Sequence, residues 1–321
     1  MARSHLQEVL ESGRFAVTAE LTPPRSASTE YIARQAVHFR DVDAINFTDN
    51  VSARVRMSSL AACVLAMREG LEPVLQIACR DKNRLAIQSE VIGASVLGIR
   101  NVLCLTGDHQ TRGDHPMAKG VFDLDSIQLI RMVRRMRDEQ TLDTGGPLKK
   151  PPELFIGGVA NPFARPFEYR PMRLSKKVAA GAEFIQTQAV FDLPLLERYM
   201  RRVSDLGLDQ RVHILATVYV PRSARALEYM RDSIAGMRIP EETIRRMGSA
   251  RDPEVEGLDL AVETIASLRS MRGIKGVHVI AVGWSEIVPV LLEKCGLCPR
   301  PEVVAALEAA KPSGLELAKG G

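Results

Sequence analysis

Short apolar runs alternate along the chain with longer stretches whose apolar residues recur every three or four positions. The first run is Phe15–Leu21, and seven more follow: Ala44–Thr48, Val74–Cys79, Asn101–Thr106, Leu154–Ala160, Phe184–Gln188, His213–Tyr219 and Gly276–Val282. Brief runs rich in Val, Ile and Phe read as buried strands. Between them the spacing predicts helices over Thr29–Phe39 (behind the capping residues Ser26 and Ser28), Ser52–Glu69, Asn83–Leu97, Leu124–Glu139, Arg173–Gly181, Pro194–Leu206, Ser223–Ala235 and Glu256–Met271. A short helix over Pro240–Met247 reads as an insertion. Glu286–Cys295 follows the last strand, Glu302–Ala310 ends the fold, and Met1–Gly13 is polar and helical.

Strand–helix alternation predicts parallel α/β architecture, and eight strands are the number that closes a barrel. The expected fold is therefore one (β/α)8 TIM barrel over residues 1–321, with a short N-terminal helix and a C-terminal helix and tail. The rival is a doubly wound open sheet, which would show a Gly-x-Gly-x-x-Gly turn after a strand; none occurs. Gly107–Gly120 is long and polar and reads as a loop over the site, and Gln140–Pro152 is a breaker-rich connection.

Composition narrows the function. Aromatic residues are 5% of the chain against 45% hydrophobic overall, so the core must be aliphatic. The net charge of +4 is too small to imply nucleic-acid binding. The densest basic run, Arg131–Arg137, interleaves its arginines with Met132, Val133 and Met136. It reads as the wet face of an amphipathic helix, with a partner surface as the alternative. The N-terminus lacks the apolar core of a signal peptide, and no stretch approaches the roughly 20 apolar residues of a membrane span. The 5 cysteines form no disulfide framework, which fits a reducing cytoplasm.

In such a barrel catalytic groups sit where strands end and the following loops begin. The predicted ends carry Glu20, Thr48, Asp49, Gln76, Thr106, Asp108, Asn161, Gln188 and Tyr219. Glu20 closes an apolar strand and precedes Leu-Thr-Pro-Pro-Arg. A buried carboxylate tends to a raised pKa and suits a general acid; the alternative is a structural Glu pairing with Arg25 or a loop amide. Asp108 follows Gly107, which would let the backbone approach a flat ligand, so the carboxylate could hold a cationic ring or merely cap its loop. Gln186-Thr187-Gln188 interrupts a strand with amides that suit a pterin-like heterocycle, unless one of them points toward the helices. Cys295 and Cys298 have metal or redox spacing, and His109 and His115 share a loop, but neither pair finds further ligands, and no metal site is expected.

Several of these segments, in order, resemble methylenetetrahydrofolate reductases: Ala19–Arg25, Phe47-Thr48-Asp49, Leu105–Asp108, Lys177–Ala182 with Thr187–Asp192, and Val220–Ser223 with Arg238–Pro240. The likeness covers roughly residues 14 to 299. It implies a flavin-bearing barrel, with FAD or FMN, that reduces 5,10-methylenetetrahydrofolate to 5-methyltetrahydrofolate. By position Glu20 would be the acid that opens the five-membered ring at N10, and Asp108 would stabilise the resulting cation. Thr48, Gln76, Thr106, Gly107, Asn161, Arg165 and Lys177 would line the flavin. Gln188, Tyr219 and Trp284 would meet the folate, Trp284 by stacking. The enteric-type pattern has His at Gln76, Arg at Thr106, and Tyr and His at Asn161 and Arg165; it has aromatic-Thr-Leu-Asn-Arg where this chain reads Ile280–Trp284. The chain resembles a shorter branch in which electrons come from NAD(P)H or from a partner electron-transfer protein, which implies an oligomer or complex subunit. A flavin-free pterin barrel of the methyltransferase type, or an electron-transfer subunit, are the alternatives.

Overall fold

The computed structural model describes residues 3–234 and 236–300. The expected helix Glu302–Ala310 lies outside the described residues. Eight parallel strands close in sequence order: β1 (Ala16–Leu21), β2 (Ala44–Phe47), β3 (Pro73–Ala78), β4 (Asn101–Leu105), β5 (Phe155–Ala160), β6 (Phe184–Ala189), β7 (His213–Tyr219) and β8 (Ile274–Ile280). The ring is shut by β1 against β8, with Ala16 opposite Gly276 and Ala19 opposite Val279. Every strand is nearly fully buried because helices cover its outer face and side chains fill the lumen.

The lower lumen is sealed by α1 (His5–Glu11). Leu6, Val9 and Leu10 pack under a layer of Ala16, Ala44, Val74, Leu103, Phe155, Phe184 and Leu215. The Phe155 and Phe184 rings stack 5.0 Å apart. Gly157 makes this layer possible, since a Cβ there would lie 2.2 Å from the Phe184 ring. Glu72 fastens the plug: its carboxylate accepts the His5 and Leu6 N–H groups at 2.7 and 2.9 Å, and the Asn101 amide at 2.9 Å. These contacts meet the open helix end with a negative charge.

The outer helices are α2 (Glu30–Ala36), α3 (Ser59–Arg68), α4 (Arg84–Val96), α5 (Ser126–Arg134), α6 (Arg170–Ala180), α7 (Leu193–Asp205), α8 (Ala224–Ser233), α9 (Glu241–Ser249), α10 (Pro253–Ser270) and α11 (Ile287–Lys294). The helix expected from Ser52 begins only at Ser59. Asn50, Ser52 and Ala53 hold φ of 47°, 54° and 55°, which no continuing helix allows. Ser58 then caps α3 by accepting the Ala61 N–H. The helix expected from Arg173 starts one turn earlier, at Arg170, and Gly181 ends it at φ 116°. The basic run continues α5 into Arg135–Glu139. There Arg135 meets Glu139 at 3.1 Å and Arg137 meets Glu183 at 2.6 Å, so these charges knit the barrel's own elements together.

Candidate active site

The lumen above the apolar layer turns polar. The Thr18 hydroxyl lies 2.9 Å from His278 Nδ1, and the Gln186 amide nitrogen lies 3.2 Å from the same atom. Gln186 and Asn46 exchange amide hydrogen bonds of 2.7 and 3.1 Å. The other ring nitrogen, Nε2, faces Glu20 Oε2 at 3.9 Å. Gln76 donates to that same oxygen at 3.1 Å. Among the described residues Glu20 Oε1 has no hydrogen-bond partner, and the side chain is half-buried at the C-terminal end of β1. Glu20 thus stands on a braced, polar floor with one oxygen open. Arg25, the alternative partner, pairs instead with Asp114.

A second group lines a cavity of about 340 Å³ between the ends of β4 and β5 and one face of α6. Thr106, Gly107, Asp108, Ser126, Asn161, Arg170, Arg173 and Lys177 surround it. Arg170, Arg173 and Lys177 recur at helical spacing along α6 and face the cavity together. Lys177 is 4% exposed; burial, and then the Arg173 charge, pull its pKa down to about 8. Its ammonium donates to the Val159 carbonyl at 2.7 Å, and no carboxylate among the described residues pairs with it. Asp108 is exposed at the rim, and its carboxylate has no donor among the described residues. The nearby N-terminus of α5 is closed, because Thr106 Oγ1 accepts the Ser126 N–H and Asp125 accepts those of Ile127 and Gln128.

The remaining expected residues fall in three places. The Thr48 hydroxyl, at the end of β2, is buried with no partner among the described residues. Asn161 lies on the cavity wall, where it accepts the Phe163 N–H and donates to the Gly236 carbonyl, whereas Arg165 is exposed and outside the cavity lining. The Gln188 amide oxygen accepts the Ala189 N–H at 3.0 Å, and its NH2 has no partner among the described residues. The Tyr219 ring leans on Phe191 at 6.3 Å, and burial raises its phenol pKa. Trp284 is 7% exposed and packed in the core, with the Arg222 guanidinium 5.2 Å over its ring, so it offers no open face for stacking. Among the described residues no group of three or more His, Cys, Asp or Glu could hold a metal ion, and no helix is long and apolar enough to cross a membrane.

The sequence reading missed Arg170, Arg173, Ser126 and His278. The two arginines sit three and four positions apart ahead of Lys177, a signal visible once α6 is begun a turn earlier. His278 sits two residues from Gly276 and Ile280 on β8, at the period that fills a lumen.

A closed barrel that gathers an open carboxylate, and cations with no carboxylate partner among the described residues, at the C-terminal ends of its strands is organised as barrel enzymes are. The profile of one such enzyme family, methylenetetrahydrofolate reductase, matches residues 5–296, and the chain belongs to that family. It is 24% identical to the 5,10-methylenetetrahydrofolate reductase of Pectobacterium carotovorum subsp. carotovorum, over 91% of this chain and 93% of that protein. The Salmonella typhimurium enzyme of the same name is 23% identical over 89% of this chain and 93% of its own length. Methylenetetrahydrofolate reductase 2 of Schizosaccharomyces pombe is longer: the match at 23% identity covers 75% of this chain and 38% of that protein. Among solved structures, an uncharacterised Clostridium thermocellum protein that binds two copies of 5-methyl-5,6,7,8-tetrahydrofolic acid shares the fold, with a TM-score of 0.59 and 14% identity over 96% of this chain and 98% of that one.

Proposed function

We propose that this chain reduces 5,10-methylenetetrahydrofolate to 5-methyltetrahydrofolate with a bound flavin. The observation that carries the reading is Glu20, a carboxyl braced by Gln76 at the barrel mouth with its second oxygen open, in a chain matched to the reductase family over residues 5–296.

The cavity fits a phosphate-bearing cofactor. Lys177 holds a charge that no carboxylate among the described residues pairs with, Arg170 and Arg173 stand beside it, and the α5 N-terminus is already filled. A phosphate would therefore fall to the α6 cations. The buried Thr48 hydroxyl, at the end of β2 outside the cavity lining, is a further donor with no partner among the described residues. A flavin held there would, in its reduced form, supply the hydride. Glu20 delivers a proton to folate N10, which opens the five-membered ring and leaves a cationic methylene on N5. Gln76 holds the Glu20 carboxyl in place while it does so, with the His278 ring beside it at 3.9 Å. The Asp108 carboxylate, free of competing donors, stabilises the cation, and the Gln188 NH2 donates to the pterin. Electrons enter from NAD(P)H or from a partner electron-transfer protein.

The test is the absorption spectrum of the purified protein and the mass of what it releases, followed by reduction with NADH, NADPH or viologen and reoxidation by methylenetetrahydrofolate. A yellow protein whose reduced form is reoxidised by the folate supports the reading. A colourless protein points instead to a flavin-free pterin barrel. A flavoprotein that methylenetetrahydrofolate does not reoxidise overturns the reductase assignment.

A further inference from the structure

The loop that carries Asp108 is tied at both ends to one buried arginine. Arg80, just past β3, is 2% exposed. Its Nη1 donates to the Asp108 carbonyl at 3.4 Å, and its Nη2 to the Asn50 and Asp49 carbonyls at 3.1 and 3.4 Å. Nε and Nη2 fork onto the two oxygens of Asp81 at 2.9 and 2.7 Å. Where the loop returns, the Val121 N–H donates to the Arg80 carbonyl at 2.8 Å and the Phe122 N–H to the Cys79 carbonyl at 3.1 Å. Departure and return of the segment 108–121 therefore converge on Arg80. Gly107 leaves no slack between them: it holds φ of +89°, and a Cβ there would lie 2.9 Å from Arg80 Cβ.

The neighbouring strand end is fixed by the same group. Asn50 takes a left-handed φ of 47° and donates to Asp81 Oδ2 at 3.3 Å. Asp49 Oδ2 accepts the Ala78 N–H at 3.0 Å and the Lys82 ammonium at 2.8 Å. A guanidinium buried this deeply persists only when its donors and charge are met, and its planar fork holds its acceptors in one plane. A surface arginine would cap one turn. This one closes the ends of β2, β3 and β4 at once, and two of those ends present Thr48 and Asp108. Arg80 does not line the cavity, so it acts on ligands only through what it holds.

We infer that Arg80 is a positioning residue for Asp108: its guanidinium fixes where that carboxylate stands at the barrel mouth. The inference rests on the reading of Asp108 as the cation stabiliser.

A double-mutant cycle tests it on the cofactor-loaded protein, with Arg80→Met and Asp108→Asn and Arg80→Lys as the conservative variant. The readouts are viologen reduction of the cofactor, reoxidation by methylenetetrahydrofolate, and amide hydrogen exchange. Arg80→Met should slow reoxidation about 30- to 100-fold, the scale of a misplacement of about 1 Å, and leave viologen reduction unchanged. On the Asp108→Asn background the same change should cost less than about 3-fold, because its target is already gone. Exchange should rise in 108–121 and at the end of β2 and stay unchanged elsewhere, and Arg80→Lys should recover part of the rate. Equal losses on both backgrounds, or a near-normal Arg80→Met rate, overturn the inference. Should Arg80→Met fail to fold, Asp81→Asn, which loosens the fork but keeps the guanidinium, carries the same cycle. A wild-type protein that the folate never reoxidises refutes the underlying function instead and is told apart by that control.

Discussion

Lys177 burdens the empty fold and, under the proposed function, serves the loaded one, and the two effects can be separated by replacing it with methionine. Burial lowers its pKa from 10.5 to about 8. Because the folded-state value is the lower one, the fold prefers the neutral amine. Stability is lost as the pH falls from 10.5 toward about 8 and stays lost below that. The gap is worth about 3 kcal/mol at pH 7. Lys177→Met removes this penalty but also the hydrogen bond to the Val159 carbonyl, a loss of about 1–2 kcal/mol. Cofactor-free Lys177→Met should thus be more stable than the parent at pH 7 by about 1–2 kcal/mol and slightly less stable above pH 10. Urea unfolding at both pH values reads the change of sign. Cofactor binding should move the other way, at least about 10-fold weaker in the variant, and in the parent it should weaken above pH 8 as the ammonium deprotonates. A variant that is destabilised at pH 7, or a stability difference that ignores pH, would refute the argument that this cation is held against the fold's interest.

Other substitutions probe the remaining parts. Glu20→Gln keeps the Gln76 contact geometry but removes the proton; flavin should stay bound and reducible while folate reduction falls about 10²- to 10⁴-fold, and near-normal turnover would sink the acid assignment. Asp108→Asn should weaken folate reduction with little change in the unfolding midpoint, since the carboxylate has no partner among the described residues; global unfolding would favour a structural role. Gly157→Ala drives a methyl into the Phe184 ring and should cost about 1–3 kcal/mol or more in urea unfolding, because the lumen layer cannot part without moving α1.

Much of this architecture was legible because a barrel strand is buried on both faces, so each one stands out as an apolar run between helical patterns. What the runs could not show was which of their polar members share the lumen. Glu20 was conspicuous as a carboxylate ending an apolar strand. His278 was hidden because it sits inside such a run, and only closure of β8 on β1 brings it to Thr18 and near Glu20. Boundaries failed where tertiary contacts override local preference. Residues 52–58 have helical composition, yet the Val55 N–H is claimed by Asp114 across the mouth.

The functional residues divide along the same line. Residues proposed to meet a ligand directly, such as Glu20, Asp108 and Lys177, carry a local signal: an ionisable group at a strand end or on a helix face where the pattern calls for none. Arg80 reads as part of an ordinary charged turn, Arg-Asp-Lys, and its burial follows only from the meeting of three strand ends that are far apart in the chain. Trp284 misleads in the opposite direction. A lone tryptophan after the last strand invites a stacking role, but the apolar start of α11 draws it into the core and Arg222 covers it. A barrel of this kind therefore exposes its chemistry to sequence reading more readily than the groups that aim it. The aiming groups are set by closure of the ring, where a single buried guanidinium reaches residues 28 to 31 positions away in the chain.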